Sequence, residues 1–521
     1  MISANHFSEG KTHMADTFAV TRRGLHAALL AALCAFAAPT LAADKQIDEL
    51  VVGSITDVSV PDPNIIGVQQ FIFNDNVFDT LIRYTDGLTP EPALATSWSW
   101  NAGKTELTMK LRQGVKFHSG AEFTAEDVKF TFSRVLDPKL SVAQARTMVS
   151  WVTGTDTPDK YTIVIKFDRP RANFIDVLSF LYIADKSVLT TGNPAKDVSG
   201  TGPYRMTEWR PGEQMVLEKN AAYWTEAKGP KRIVIKKIGD AQSLAGQLRA
   251  GAIKLAYGLT ERDLVPFSKD KSYTLVRNDF GPEFYYLGIN VTKPPFTDVR
   301  VRQAFVLALD RNRFVRSTLQ GFGEATASPW PPHSPLYDKA TKDAYAYNLD
   351  KAKALLKQAG VDKLEVTMLS SNAWPPLAEQ AQQYQADLAK IGVKLSINTV
   401  DVTRWIQDVT ADRTHAIWTG AFGFSLYSPE SLYAMAAPWR TSNNMTQFET
   451  AEFTKMANDA GGEADDKKRV AILGQMTKYA QDQAFTNPIA RRVLAMVEGK
   501  GVKGAKFRVT GFMSFKDIVG E

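Results

Sequence analysis

The 521-residue sequence predicts an α/β fold built as more than one lobe. Three observations lead there. The second half alternates short apolar strands with amphipathic helices. The first half mixes period-two strands with helices. Neither half repeats with a fixed period of 20–50 residues, which excludes a solenoid.

In the first half, Val51 to Ile55 is a short apolar strand. Leu107, Met109 and Leu111 alternate with Thr108, Lys110 and Arg112, the period of a strand. Thr124 starts a helix with Asp127 as its capping-box partner. Val128, Phe132, Val135 and Leu136 line one face, and Pro138 stops it. Tyr161, Ile163, Ile165 and Phe167 form a second alternating strand, and Ile233 to Ile238 a third. In the second half, Tyr285 to Ile289 is an apolar strand, and Asp298 opens a helix carrying Val301, Phe305 and Leu309. Asn348 to Gln358 is a helix with Gly360 as its left-handed cap. Strand Leu364 to Leu369, helix Leu377 to Lys390 and strand Val393 to Ile397 follow, with Gly392 breaking the helix. Such alternation points to a partly parallel sheet.

Apolar residues make up 44% and charged residues 23%, which excludes a mostly disordered, collagen-like or coiled-coil chain. The net charge of +6 comes from scattered residues, giving no case for nucleic-acid binding. Near the N-terminus, Thr21-Arg22-Arg23 precedes an apolar run from Leu25 to Ala38 and the small residues around Leu41-Ala42-Ala43. The run is too short to span a bilayer and reads as a signal peptide, residues 1–43, cut after Ala42 or Ala43. Met14 is an alternative start. Cleavage removes Lys11, Arg22 and Arg23 against Glu9 and Asp16, taking +6 to +5. It also removes Cys34, the one cysteine, so the mature chain forms no disulfide and no thiolate metal site. The expected product is a soluble periplasmic protein.

Four segments carry a family resemblance. They are Pro92-Ala93-Leu94-Ala95-Thr96-Ser97-Trp98 with Leu111 to Val128, Gly200-Thr201-Gly202-Pro203-Tyr204-Arg205 with Asn220 to Trp224, Tyr286 to Asn290 with Asp298 to Ala304, and Tyr347 to Leu356. In this order they resemble the dipeptide- and oligopeptide-binding proteins of bacterial ABC importers, extracellular solute-binding protein family 5. The resemblance implies a two-lobe periplasmic-binding-protein fold (type II) with an extra subdomain in lobe one. Lobe one is expected at 44–278 plus 489–521, the subdomain at 85–200 and lobe two at 279–488. The crossings fall near Arg277–Phe284 and Asn487–Val493. The implied partners are a small-molecule or peptide solute and a membrane permease with its ATPase, with the carrier a monomer and no cofactor. Gly114, Gly120, Gly202 and Pro203 read as turn punctuation, and Trp98, Phe117, Tyr204 and Trp224 as packing residues.

The cleft segments depart from the family. Dipeptide binders hold the peptide amino terminus with an Asp, yet the matching stretch Thr419 to Glu430 has none, and Phe424 or Ser425 stands near its place. They hold the carboxylate with an Arg, yet Ser370 to Leu377 has none. Unpartnered charges taken out of water are costly, so a plain dipeptide loses both compensations unless other residues supply them. Glu283 at the first crossing, next to Phe284, is the candidate for a cationic group, and Arg404 for an anion. Trp374, Trp405, Phe422, Phe424 and Tyr427 give the cleft loops an aromatic lining suited to sugars, rings or cations. Trp418, ending an apolar strand, reads as core.

His118, His333 and His415 have no metal-type partners at helical spacing. No nucleophile elbow, P-loop or dinucleotide fingerprint is present. Ser268-Lys269-Asp270-Lys271 fits S-x-x-K, so a secreted serine acyl-hydrolase is the alternative, one that needs a buried Ser–Lys pair. A further alternative is a solute-sensing receptor module.

Overall fold

The structure, a computed structural model, describes residues 45–521 apart from 68, 69, 71, 172, 195, 280, 282, 333, 362, 373, 374, 424–428 and 464. The signal-peptide reading and Cys34 therefore lie outside the described residues. Residues 46–521 form one compact unit built on two large sheets.

The first sheet has seven strands, in the order 274–278, 494–498, 255–257, 49–54, 232–237, 214–219 and 204–210. Strand Glu49–Ser54 is central and runs parallel to both neighbours. The second sheet has six, in the order 323–325, 486–492, 284–289, 417–422, 364–371 and 393–400. Its 364–371 strand is parallel to both 393–400 and 417–422, the partly parallel pattern expected from the alternating helices. The chain passes between the sheets twice: from Thr274–Asn278 to Phe284–Ile289, and back from Thr486–Arg492 to Leu494–Glu498 with only Val493 between. This is the two-lobe α/β arrangement. A separate four-stranded antiparallel sheet, 95–100, 106–111, 162–167 and 152–159, sits on lobe one.

Local signals explain the elements. Helix Ala125–Leu136 starts at Thr124, whose backbone N–H donates to Asp127 at 2.9 Å. Asp298 and Asn348 cap helices Val299–Leu307 and Leu349–Gln358 by accepting the N–H groups of Arg300 and Lys351. Gly360 and Gly392 have φ of 71° and 84°, the left-handed backbone that ends each preceding helix. Gly114 and Gly120 are true turn glycines, with φ of 75° and 90°. Gly202 lies in a bend and has a second reason to be glycine, because a Cβ there would lie 2.5 Å from the Val77 backbone carbon. Trp330, in the Pro-rich stretch Pro329-Trp330-Pro331-Pro332, is only 3% exposed and donates its indole N–H to Thr477 at 3.0 Å, so this ring belongs to the lobe-two core.

One hydrophobic core joins the lobe-one sheet to the four-stranded sheet, through residues such as Leu107, Phe132, Tyr204 and Phe512. Lobe two has a core on each face of its sheet. Tyr285, Leu287 and Ile289 point to one, and Phe284 and Tyr286 to the other, as strand alternation requires. On the second face the rings need space. Gly288 pairs across the strands with Trp418, and Gly420 with Tyr286. A Cβ at Gly288 would come within 2.2 Å of the Trp418 ring, and one at Gly420 within 2.4 Å of Tyr286.

Candidate functional site

The crossings bring Glu283 and Arg492 together. The backbone N–H of Arg492 donates to the Glu283 carbonyl at 2.8 Å, and its Nη1 reaches Glu283 Oε2 at 3.4 Å. Its Nε also lies 3.5 Å from Glu261, on helix Glu261–Lys269 of lobe one. Two buried carboxylates thus share one guanidinium. Burial pushes the Glu283 carboxyl above its ordinary value, against the opposing pull of Arg492. Glu283 also abuts Gly423, where a Cβ would sit 3.1 Å from its Oε1. The carboxylate therefore reaches the chain immediately before the loop expected to meet solute.

Phe284 and Phe422 lie on the same face of the lobe-two sheet, with ring centroids 5.9 Å apart. Both meet Trp439, Phe284 edge-on at 4.8 Å and Phe422 at 5.9 Å. Trp405 is 7% exposed and packed in the same core, with its indole N–H unpartnered among the described residues. Arg404 is exposed on helix Val402–Gln407 and holds the buried Asp408 at 2.6 Å, so an anion there competes with a carboxylate in place. Trp374, Phe424, Ser425 and Tyr427 lie outside the described residues.

Contacts between the lobes escaped the sequence reading. Ser431, just after the 424–428 loop, accepts a hydrogen bond from Asn173 Nδ2 at 3.1 Å and donates to Asp176 Oδ2 at 3.2 Å. The other Asp176 oxygen accepts from the Tyr84 hydroxyl at 2.6 Å. Arg169 reaches Asn458 at 3.3 Å, and Arg262 on lobe one reaches Glu379 on lobe two at 3.4 Å. Lobe two thus touches lobe one through these side chains. None of these residues belongs to a motif. Asp176 lies inside an apolar stretch, between Ile175 and Val177.

His118 is part of the scaffold. Its Nδ1 accepts from the Gly200 N–H at 3.2 Å and its Nε2 meets the Gly202 carbonyl at 3.0 Å, so the neutral ring fills both roles. Burial holds its pKa below the ordinary value. His333 lies outside the described residues. His415 meets Thr414 and Asn398. Among the described residues no group of three or more His, Cys, Asp or Glu converges as metal ligands. Ser268 and Lys271 are both exposed, and Ser268 donates to the Val265 carbonyl at 2.9 Å. The hydrolase alternative required a buried pair, and this motif does not supply one.

Comparison with known proteins gives a consistent picture. Residues 89–444 match the family model described as bacterial extracellular solute-binding proteins, family 5 middle. The chain is 28% identical over 491 residues to heme-binding protein A of Haemophilus influenzae, covering 87% of this chain and 88% of that one. It is 29% identical over 479 residues to di/tripeptide-binding protein 1 of Pseudomonas aeruginosa, covering 85% and 88%. Among solved structures, it resembles the periplasmic binding protein DppA of Helicobacter pylori in complex with the peptide STSA. That match has 26% identity and a TM-score of 0.77, covering 92% of this chain and 99% of that one. The fold also matches AgaA of A. tumefacien R10 in complex with agropinic acid, at 24% identity and a TM-score of 0.78, covering 91% and 99%. The relatives are solute-binding proteins rather than enzymes. The family-model match spans well over half of the sequence, and the chain belongs to the bacterial extracellular solute-binding proteins, family 5.

Proposed function

We propose that this protein is the periplasmic receptor of an ABC importer, which captures a peptide, peptide-like or small organic solute between its lobes. Residues 1–43 serve as the signal peptide, cut after Ala42 or Ala43. The mature chain is a monomer and performs no covalent chemistry. Its lobes are 44–278 with 489–521 and 279–488, and the subdomain is 85–200. Closure over solute presents one surface to the permease, which works with its ATPase. The observation that carries this reading is the interlobe contact at Ser431, Asn173 and Asp176, beside the loop where the family binds solute. The candidate solute contacts from lobe two are Trp374, Phe422, Phe424, Ser425 and Tyr427, with Arg404 for an anionic group, while Phe284 and Trp405 lie in the lobe-two core. Glu283 attracts a cationic group of the solute. The relatives are named for haem and for di- and tripeptides, and the solved neighbours hold a peptide and agropinic acid. Those names support a peptide-like class.

The test is thermal unfolding of residues 44–521 against di- and oligopeptides, opines, oligosaccharides and aromatic acids. A bound solute at 100 times its dissociation constant adds about 2.7 kcal/mol to the native state. A shift from at least one member is expected, and a flat response across the whole panel contradicts the proposal.

A further inference from the structure

We propose that Arg508 and Thr510, at the tip of a C-terminal hairpin in lobe one, bind a carboxylate of the solute. The inference rests on the carrier reading above and names a chemical feature of its ligand.

The hairpin pairs Lys506–Phe507 with Met513–Ser514 and turns at Gly511, whose φ is 91°. Its tip is fixed on both sides. Phe512 packs edge-on against Phe180 and Tyr182, with centroids 6.2 and 5.5 Å away. Asn278, where the chain leaves lobe one, donates to the Arg508 carbonyl at 3.4 Å. The Arg508 side chain lies against the buried Asp75 through its Nε. The other Asp75 oxygen accepts from the Tyr182 hydroxyl at 2.8 Å. Neither terminal nitrogen of Arg508 finds an acceptor among the described residues, so one edge of the fork is open.

Arg508 borders a cavity of about 10 Å³, lined also by Asp75, Arg83, Tyr84, Ser179 and Thr510. The space holds one water, whose place a single carboxylate oxygen would take. One of its lining atoms is unsatisfied: Thr510 Oγ1 is buried without a hydrogen-bond partner among the described residues. Buried polar atoms carry a desolvation cost that persists until something pairs with them. One wall residue, Tyr84, is linked to the interlobe contact: its hydroxyl donates to Asp176, which receives Ser431 from lobe two.

Charge selects the ligand. Asp75 is committed to Arg508 and Tyr182. Arg83 is committed to Asp79, which also accepts from Trp224 at 2.8 Å and Thr201 at 3.0 Å. Both carboxylates already face a cation, while donors remain on Arg508 and Thr510. An open guanidinium edge beside a hydroxyl matches a carboxylate in two-point geometry. It would supply the arginine that the stretch Ser370 to Leu377 lacks.

Calorimetric binding to residues 44–521 tests the assignment with two pairs of probes: trialanine and its C-terminal amide, and phenylacetate and phenylacetamide. Wild type is expected to bind at least one acid about tenfold more tightly than its amide, the scale of one lost charge-assisted pair. R508Q is expected to level the two, R508K to keep only part of the preference because a point charge does not reproduce the fork, and T510V to weaken acid binding. Equal binding within both pairs, no binding of either acid, or an undiminished preference in R508Q overturns the proposal. The wild-type ratio decides by itself if R508Q does not fold. Acid binding in the aromatic pair alone sinks the peptide class and leaves Arg508 standing. A neutral oligosaccharide that shifts the melt while both acids fail sinks the Arg508 site and leaves the carrier standing.

Discussion

Replacing Glu324 by Gln isolates the electrostatic brace behind the second crossing strand. Glu324 lies on edge strand Gly323–Ala325 and accepts from Tyr337 and Lys342, each at 2.6 Å, and from Arg491 at 3.0 Å. Arg491 also donates to the Asp279 carbonyl in the first crossing, so the carboxylate ties both crossings to lobe two. Burial pushes the Glu324 carboxyl up, but its three donors outweigh burial and hold it at about 2, against an ordinary 4.5. At about 1.4 kcal/mol per pKa unit this difference contributes about 3 kcal/mol to the folded state. Because the folded value is depressed, the contribution is complete well above pH 4.5 and is lost as pH falls from 4.5 toward 2. With roughly 2.1 cal/mol/K per residue, residues 46–521 unfolding together have an entropy near 1 kcal/mol/K, which converts the loss to about 3 °C in Tm. Calorimetric melting of wild type and E324Q should show that gap at pH 7 and less than about half of it at pH 3. Equal melting at pH 7, or an unchanged gap at pH 3, refutes the reasoning.

S431A removes two hydrogen bonds made across the lobes, one of them to a carboxylate. Such bonds contribute about 1.5–3 kcal/mol together, so solute affinity should fall by roughly ten- to a hundredfold with little change in the solute-free melt. Calorimetry showing an affinity within twofold of wild type would contradict the latch. G288A drives a Cβ into the Trp418 ring and should cost about 1–3 kcal/mol by overpacking, lowering Tm at pH 7. An unchanged melt would show that the ring relaxes freely.

The legible parts of the sequence were local. Thr124 with Asp127, Asp298 and Asn348 announced helix starts because a short polar side chain at those positions satisfies free N–H groups. Gly360 and Gly392 announced helix ends because glycine adopts positive φ without strain. Alternation around Leu107 and Ile163 announced strands buried on one face. The helices Ala451–Gly462 and Asp466–Gln483 passed unread, since their charged surfaces carry only a few buried residues such as Phe453, Leu473 and Met476. The site was harder. A ring reads alike in sequence whether it lines a cleft or fills a core, and Trp405, on helix Val402–Gln407, packs into lobe two. Glu283 stood out by its place at a crossing, but its partner Arg492 is 209 residues away. Arg508 and Asp75, and Ser431 and Asp176, are likewise paired only by tertiary folding, and no spacing rule connects them.

The most direct test of the account is small-angle X-ray scattering of residues 44–521, with and without the solute that the melting panel identifies. Capture between lobes predicts a smaller radius of gyration on saturation, and S431A should reach the same compact state only at higher solute concentration. Saturable binding that leaves the radius of gyration unchanged would contradict closure over solute as the protein's mode of action.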